Sequence, residues 1–131
     1  MTTDVAAPMP FAQHCGIVVT SATREKVEGH LAWRLELGTT AGVMHGGALM
    51  AFADTLGAVC AFLNLPAGAT TSTIESKTNF FRPVTQGTVH GTTTTLHVGR
   101  TTIVVQSDLR DDAGKRVALV TQTQAVIVPR A

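Results

Sequence analysis

Charge is scarce in this chain: 15% of its 131 residues are charged, against 44% hydrophobic. So little charge leaves apolar surface on a monomer, and burying a face in an oligomer is the natural remedy. Concentrated basic charge is also missing. Lys plus Arg number ten and Asp plus Glu nine, for a net charge of +1. With no basic run longer than two residues, nucleic acid is not expected as a partner. Cysteine is limited to Cys15 and Cys60, 45 residues apart and in no spaced motif. Long uninterrupted apolar stretches are lacking as well, because Asp54 and glycines break the longest windows. These absences lead us to expect a cytoplasmic protein with two reduced thiols, no secretion signal and no membrane span. No HExxH or cysteine-rich pattern occurs, and His90 and His97, seven apart in a strand, are expected on opposite faces, so no metal is expected. The G-x-S-x-G spacing of a serine nucleophile is absent too.

What is present suffices for one core. A chain of this length buries roughly two thirds of the surface its unfolded form exposes, without disulfide or metal staples. Residues 1–131 therefore read as a single domain, in which 1–14 form a loosely ordered lead-in or a short helical turn. Residues Cys15 to Leu37 have β-branched, alternating character split at Arg24-Glu25-Lys26, which predicts a hairpin, and Gly38 to Gly42 form a loop. From Gly46 to Leu63 the sequence is rich in Ala and Leu and apolar nearly all round, predicting a helix buried on most sides that stops at Asn64-Leu65-Pro66-Ala67-Gly68. Strands are predicted over Thr70–Phe81, Thr88–Val98, Thr101–Leu109 and Arg116–Val128, with turns at Arg82-Pro83, Gly99-Arg100 and Asp111-Asp112-Ala113-Gly114. In the third of these, Ile103, Val105 and Leu109 alternate with Thr102, Gln106 and Asp108, the pattern of an antiparallel sheet with one face on the core. One long apolar helix with about six such strands is an α+β arrangement in which the sheet curls around the helix.

Chemistry concentrates in that helix. His45-Gly46-Gly47 opens it, and the first N–H groups of a helix lack intrahelical partners and carry partial positive charge, so a carbonyl oxygen gaining negative charge is stabilised there. The two glycines either admit a ligand to that backbone or only make a tight turn into the helix. Asp54 is a lone carboxylate among apolar neighbours: burying it ionised requires a partner, such as a hydroxyl or backbone donor, or a functional reason, and the alternative is that it lies on a wet stripe of the helix. Gly46 and Asp54 are eight residues apart, about 12 Å along one helix axis. One carbonyl group cannot touch both in one chain. Two such helices antiparallel across a twofold axis would bring them together and form two equivalent sites.

The run Gly42-Val43-Met44-His45-Gly46-Gly47, then Asp54, then Thr73-Ile74-Glu75-Ser76-Lys77-Thr78-Asn79-Phe80-Phe81-Arg82-Pro83, resembles the hotdog-fold acyl-CoA thioesterases of the phenylacetate-degradation (PaaI-like) type. The resemblance runs from about Gly16 to Val128 and includes the Gly99-Arg100 turn. It implies a six-stranded antiparallel sheet wrapped around one helix, a homodimer with a continuous sheet, and often a homotetramer. It implies hydrolysis of acyl-CoA, including aryl-acyl-CoA, with no cofactor beyond the coenzyme A of the substrate. The N–H of Gly46 would polarise the thioester carbonyl, and Asp54 of the other subunit would act as nucleophile or as general base on water. His45 would hold the loop or contact the thioester, or else cap the helix. Thr73 matches a position where a hydroxyl orients the attacking water. Gly47 belongs to the same substrate-binding turn. Thr39 stands six residues before the histidine, where the family often has Asn or Gln, and a single short hydroxyl lacks that reach. Arg82, Arg100 and Arg116 are candidates for the phosphates of coenzyme A, Arg100 foremost. Phe52, Phe62 and Phe80 either line the cleft or fill the core. A non-catalytic acyl-CoA binding or sensing protein on the same fold is the alternative; a hotdog dehydratase fits less well.

Overall fold

The computed structural model describes residues 9–130. The elements are α1 (Pro10–Cys15), β1 (Ile17–Ala22), β2 (Lys26–Ala32), a 3-10 turn (Leu35–Leu37), α2 (Gly46–Leu63), β3 (Thr70–Phe80), β4 (Thr88–Val98), β5 (Thr102–Arg110) and β6 (Arg116–Ile127). The six strands form one antiparallel sheet in the order β1-β2-β4-β5-β6-β3. Helix α2 touches every strand. By length and composition its 18 residues, with hydropathy 1.6, are apolar enough to cross a membrane. Here it is the core helix: Phe52, Leu56 and Cys60 are fully buried among strand residues such as Val27, Val89 and Leu109.

The helix lies close to the sheet because two facing strands give up their side chains beneath it. Gly29 of β2 pairs with Gly91 of β4. A Cβ on Gly91 would fall 2.5 Å from a methyl of Leu56, and one on Gly29 would fall 2.5 Å from the carbonyl oxygen of Val18. Because a backbone carbonyl in a sheet has little room to yield, Gly29→Ala is expected to cost about 1–3 kcal/mol of stability. Denaturant midpoints measure this, and an unchanged midpoint would contradict the packing described.

Three expectations need correction or refinement. The lead-in is ordered from residue 10: Pro10 starts α1 at a position where its missing N–H costs nothing, and Ala12 and Cys15 are buried. Residues 1–8 of that predicted segment lie outside the described residues. The second hairpin strand ends at Ala32, and Leu35–Leu37 is a 3-10 turn. His90 and His97 do not point to opposite faces. A bulge between Thr95 and His97 adds one residue to β4, so His90 pairs with Arg110 and His97 with Val104, both on the face turned away from α2. One inserted residue inverts the parity on which the expectation rested. Among the described residues no group of His, Cys, Asp and Glu is placed to hold a metal ion.

Strand β3 ends the sheet. It pairs with β6 on one side and, among the described residues, with no strand on the other. It runs for 11 residues with Ile74 62% and Phe80 51% exposed.

Candidate active site

His45 adopts an extended conformation (φ −61°, ψ 135°) and caps α2: its Nδ1 accepts the N–H of Gly47 at 2.7 Å. Its carbonyl accepts the N–H of Ala48 at 2.9 Å. Of the roles open to His45, capping is the one its ring performs in this structure. Gly47 has no free N–H for a substrate, which corrects its assignment. Its part is to make room, since a Cβ there would fall 2.9 Å from His45 Nδ1. The preceding loop is pinned as well. His45 N–H donates to Leu37 O and Met44 N–H to Val84 O, each at 2.7 Å, and Trp33 Nε1–H donates to Gly42 O at 3.1 Å.

With Gly47 and Ala48 satisfied, the N–H of Gly46 is left without a hydrogen-bond partner among the described residues. Gly46 lines a cavity of about 390 Å³ together with Thr39, Leu49, Phe80 and Arg82. Three predicted site residues, Gly46, Thr39 and Arg82, therefore share one cavity. The Phe80 ring would stand 3.1 Å from a Cβ on Gly46, so glycine keeps this approach open. Thr39 sits in a tight turn, its N–H on Val43 O at 2.7 Å and its Oγ accepting the N–H of Ala41 at 3.4 Å.

Asp54 lies outside this cavity and is exposed, not buried. It belongs to the helix stripe with Met50 and Phe62, which are 37% and 64% exposed and which the sheet leaves open. Its Oδ1 accepts the Thr73 hydroxyl at 2.9 Å and Gln122 Nε2–H at 2.5 Å. Oδ2 has no partner among the described residues. The single proton of Thr73 thus points at the carboxylate rather than at a water, which changes the role expected for it: Thr73 holds Asp54. The intrachain separation of Gly46 and Asp54 stands, since Gly46 faces Phe80 and Asp54 faces Thr73, seven residues earlier on β3.

The arginines divide. Arg116 is held by Asp108, Nε to Oδ1 at 3.0 Å, and Arg110 shares the same carboxylate at 2.9 Å. Partial burial works to raise the Asp108 pKa, but the hydrogen bonds and charges of Arg116 and Arg110 outweigh it and hold the group below the usual carboxylate range. Arg116 is not free for a phosphate. Arg100 sits in the β4–β5 turn beside the start of β3, where Val126 N–H donates to Thr101 O and Thr70 pairs with Ile127. That is the end of the sheet away from Phe80 and Gly46, so one chain does not bring Arg100 to the cavity. Phe80 lines the cavity and Phe52 is core, whereas Phe62 lines a separate apolar cavity of about 440 Å³ near the C-terminal half of α2.

Sequence reasoning passed over Gln122 and Gln124, which are 2% and 1% exposed beneath Asp54. The signal was present in Thr121-Gln122-Thr123-Gln124. The alternation of β6 puts both amides on the face of Val120, where a packed strand would carry apolar side chains.

A sheet wound around a single helix is the hotdog fold, and a helix start open to a carbonyl, with a carboxylate on the same helix, suits it to ester-type hydrolysis. The sequence profile of the thioesterase superfamily matches residues 41–118. The proofreading thioesterase EntH of Cronobacter sakazakii is 30% identical over 106 residues, covering 81% of this chain and 77% of that one. The crystal structure of a thioesterase from Haemophilus influenzae superposes with a TM-score of 0.89 at 27% identity, covering 95% of this chain and 87% of that chain. A thioesterase family protein from Silicibacter pomeroyi shares the fold, with a TM-score of 0.87 at 22% identity, over 95% of this chain and 93% of its own. The chain belongs to the thioesterase superfamily, and its chemistry is thioester hydrolysis.

Proposed function

We propose that the protein hydrolyses acyl-CoA thioesters to the free acid and coenzyme A, as a homodimer in which each active site takes Gly46 from one subunit and Asp54 from the other. The observation that carries this reading is a pair of incomplete half-sites on one helix beside an unpaired strand edge. A long open edge with exposed apolar side chains is a template for pairing with a second copy. If two β3 strands pair antiparallel about a twofold near Ser76, Thr73 of one faces Asn79 of the other, next to Phe80. Asp54 of one subunit then approaches the Gly46 cavity of its partner. The same pairing draws Arg100 of one subunit toward the end of the sheet that carries Arg82 of the other, so both can meet the phosphates of coenzyme A outside the cleft.

The thioester carbonyl oxygen accepts the Gly46 N–H, which strengthens as negative charge develops on it. Asp54 Oδ2 either takes a proton from the attacking water or attacks the carbonyl itself, forming an anhydride that water then opens. In both routes the C–S bond breaks and the thiolate leaves with coenzyme A, to be protonated from solvent.

The test is thiol release from a panel of aryl- and straight-chain acyl-CoA esters. Release at a catalytic rate is expected. Stoichiometric binding without release would instead establish a binding or sensing protein. The protein's own thiols will not obscure the assay, because Cys15 and Cys60 are both buried and burial pushes the Cys60 thiol up to about 11. A thiol reagent is therefore expected to find almost no reactive cysteine in the native protein and both after denaturation.

A further inference from the structure

The two buried glutamines form a directed chain of hydrogen bonds that ends on the carboxylate. The single proton of Thr71 Oγ is shared between Ala125 O at 2.8 Å and Gln124 Oε1 at 3.0 Å. Gln124 Nε2 donates to Thr73 Oγ and to Gln122 Oε1, each at 2.8 Å. Gln122 Nε2 donates to Ser76 Oγ at 2.9 Å and to Asp54 Oδ1. Thr73 Oγ–H also donates to Asp54 Oδ1. A carboxylate oxygen accepts only, so Gln122 must turn its NH₂ toward Asp54, and its carbonyl must then face Gln124. That orientation in turn makes Gln124 present its NH₂ to Gln122 and Thr73. Each amide in the chain thereby has one permitted direction, and two donors, Gln122 Nε2–H and Thr73 Oγ–H, converge on the same carboxylate oxygen.

Space has been cleared for this chain. Gly57, on α2 one turn beyond Asp54, lies where a Cβ would meet Gln122 Oε1 at 2.1 Å. A β6 strand with apolar residues at 122 and 124 would pack against α2 at no polar cost, whereas two buried amides are tolerated only because they are satisfied.

We propose that Gln122 and Gln124 are positioning residues for the hydrolytic reaction: they saturate Asp54 Oδ1, directly and through Thr73, and so hold Oδ2 as the one oxygen presented to the reacting carbonyl or water. This rests on the reading of Asp54 as the reacting carboxylate. Misplacing such a group by about 1 Å can cost on the order of 10²-fold in rate.

The experiment measures kcat and KM for an acyl-CoA thioester in the full-length protein, comparing wild type with D54N, Q122M, Q124M, T73V and T73S, and with Q122M/D54N. Methionine keeps the volume of the amide and removes its hydrogen bonds. Expected are a fall in kcat of about 10- to 100-fold for Q122M, Q124M and T73V with KM little changed, and near wild-type rates for T73S, which restores the hydroxyl. In the D54N background Q122M should add no further loss, because an orienting residue has nothing left to orient. A purely structural role would lower the residual rate of D54N as well. Wild-type kcat in Q122M, Q124M and T73V alongside an inactive D54N would overturn the proposal and leave the role of Asp54 standing. An active D54N would overturn the reading of Asp54 itself. If either methionine variant fails to fold, the pair T73V and T73S carries the comparison, since Thr73 is exposed on an edge strand.

Discussion

Asp54→Asn is expected to lower kcat for thioester hydrolysis by about 10²- to 10⁴-fold, the usual contribution of a positioned acid or base, while the fold and the subunit association stay as they are. Asparagine suits the test because of the local geometry. Its carbonyl oxygen can replace Oδ1 and still accept from Thr73 and Gln122. Its amide replaces the unpartnered Oδ2, which then can neither take a proton nor attack a carbonyl. The variant thus removes the reacting oxygen and its charge while keeping the hydrogen bonds that place the side chain. Steady-state thiol release checks it, and more than about a tenth of wild-type activity would fall outside the range expected of a catalytic carboxylate.

Gly46→Pro is expected to remove the other half of the site, with a loss of about 10²- to 10³-fold, the scale measured when one oxyanion donor is deleted. Proline abolishes the N–H without breaking the helix, since the first helical position tolerates it. The preceding residue must then be extended, and His45 already is, at φ −61° and ψ 135°. The Phe80 ring stands 3.1 Å from the added carbon and must yield slightly, which a half-exposed edge-strand ring can do. The two variants together test the assembly. In a heterodimer of D54N with G46P, one site has lost both groups and the other has kept both. Random pairing makes half the dimers mixed, each with one working site, so co-refolding equal amounts is expected to recover about a quarter of wild-type activity from two nearly inactive proteins. A mixture no better than the mean of its parents would place Gly46 and Asp54 in independent sites.

Much of the fold could be read from local pattern. The helix spans Gly46–Leu63 as expected because its composition changes period there, with Gly-Gly before it and Asn64, Pro66 and Gly68 after it. The strands after residue 69 fall within one or two residues of their expected limits because threonine and valine alternate between turn signals. The proposed twofold assembly rests on one number, since helical rise separates Gly46 from Asp54 whatever surrounds them.

Contacts between distant segments were not legible in the same way. β3 pairs with β6 at the sheet edge although β4 follows it in the chain, and this ordering is set by how all six strands enclose one helix. The exposure of Asp54 depends on which stripe of α2 the curled sheet leaves open. The cap that His45 makes also depends on its ring folding back on Gly47, a contact the sequence left open beside holding the loop or touching the thioester. The bulge at Leu96 has no strong local signature, yet it turned His97 to the face of His90.

By itself the sequence determined the elements, the fold class and the separation of the two reactive groups, because these follow from side-chain period, turn chemistry and helix geometry over a few neighbouring residues. Only the tertiary structure decided that Gln122 and Gln124, 68 residues or more beyond Asp54 in the chain, orient its carboxylate. Hydrogen-bond direction depends on which atoms the packed sheet brings within about 3 Å of one another, and no local pattern encodes that.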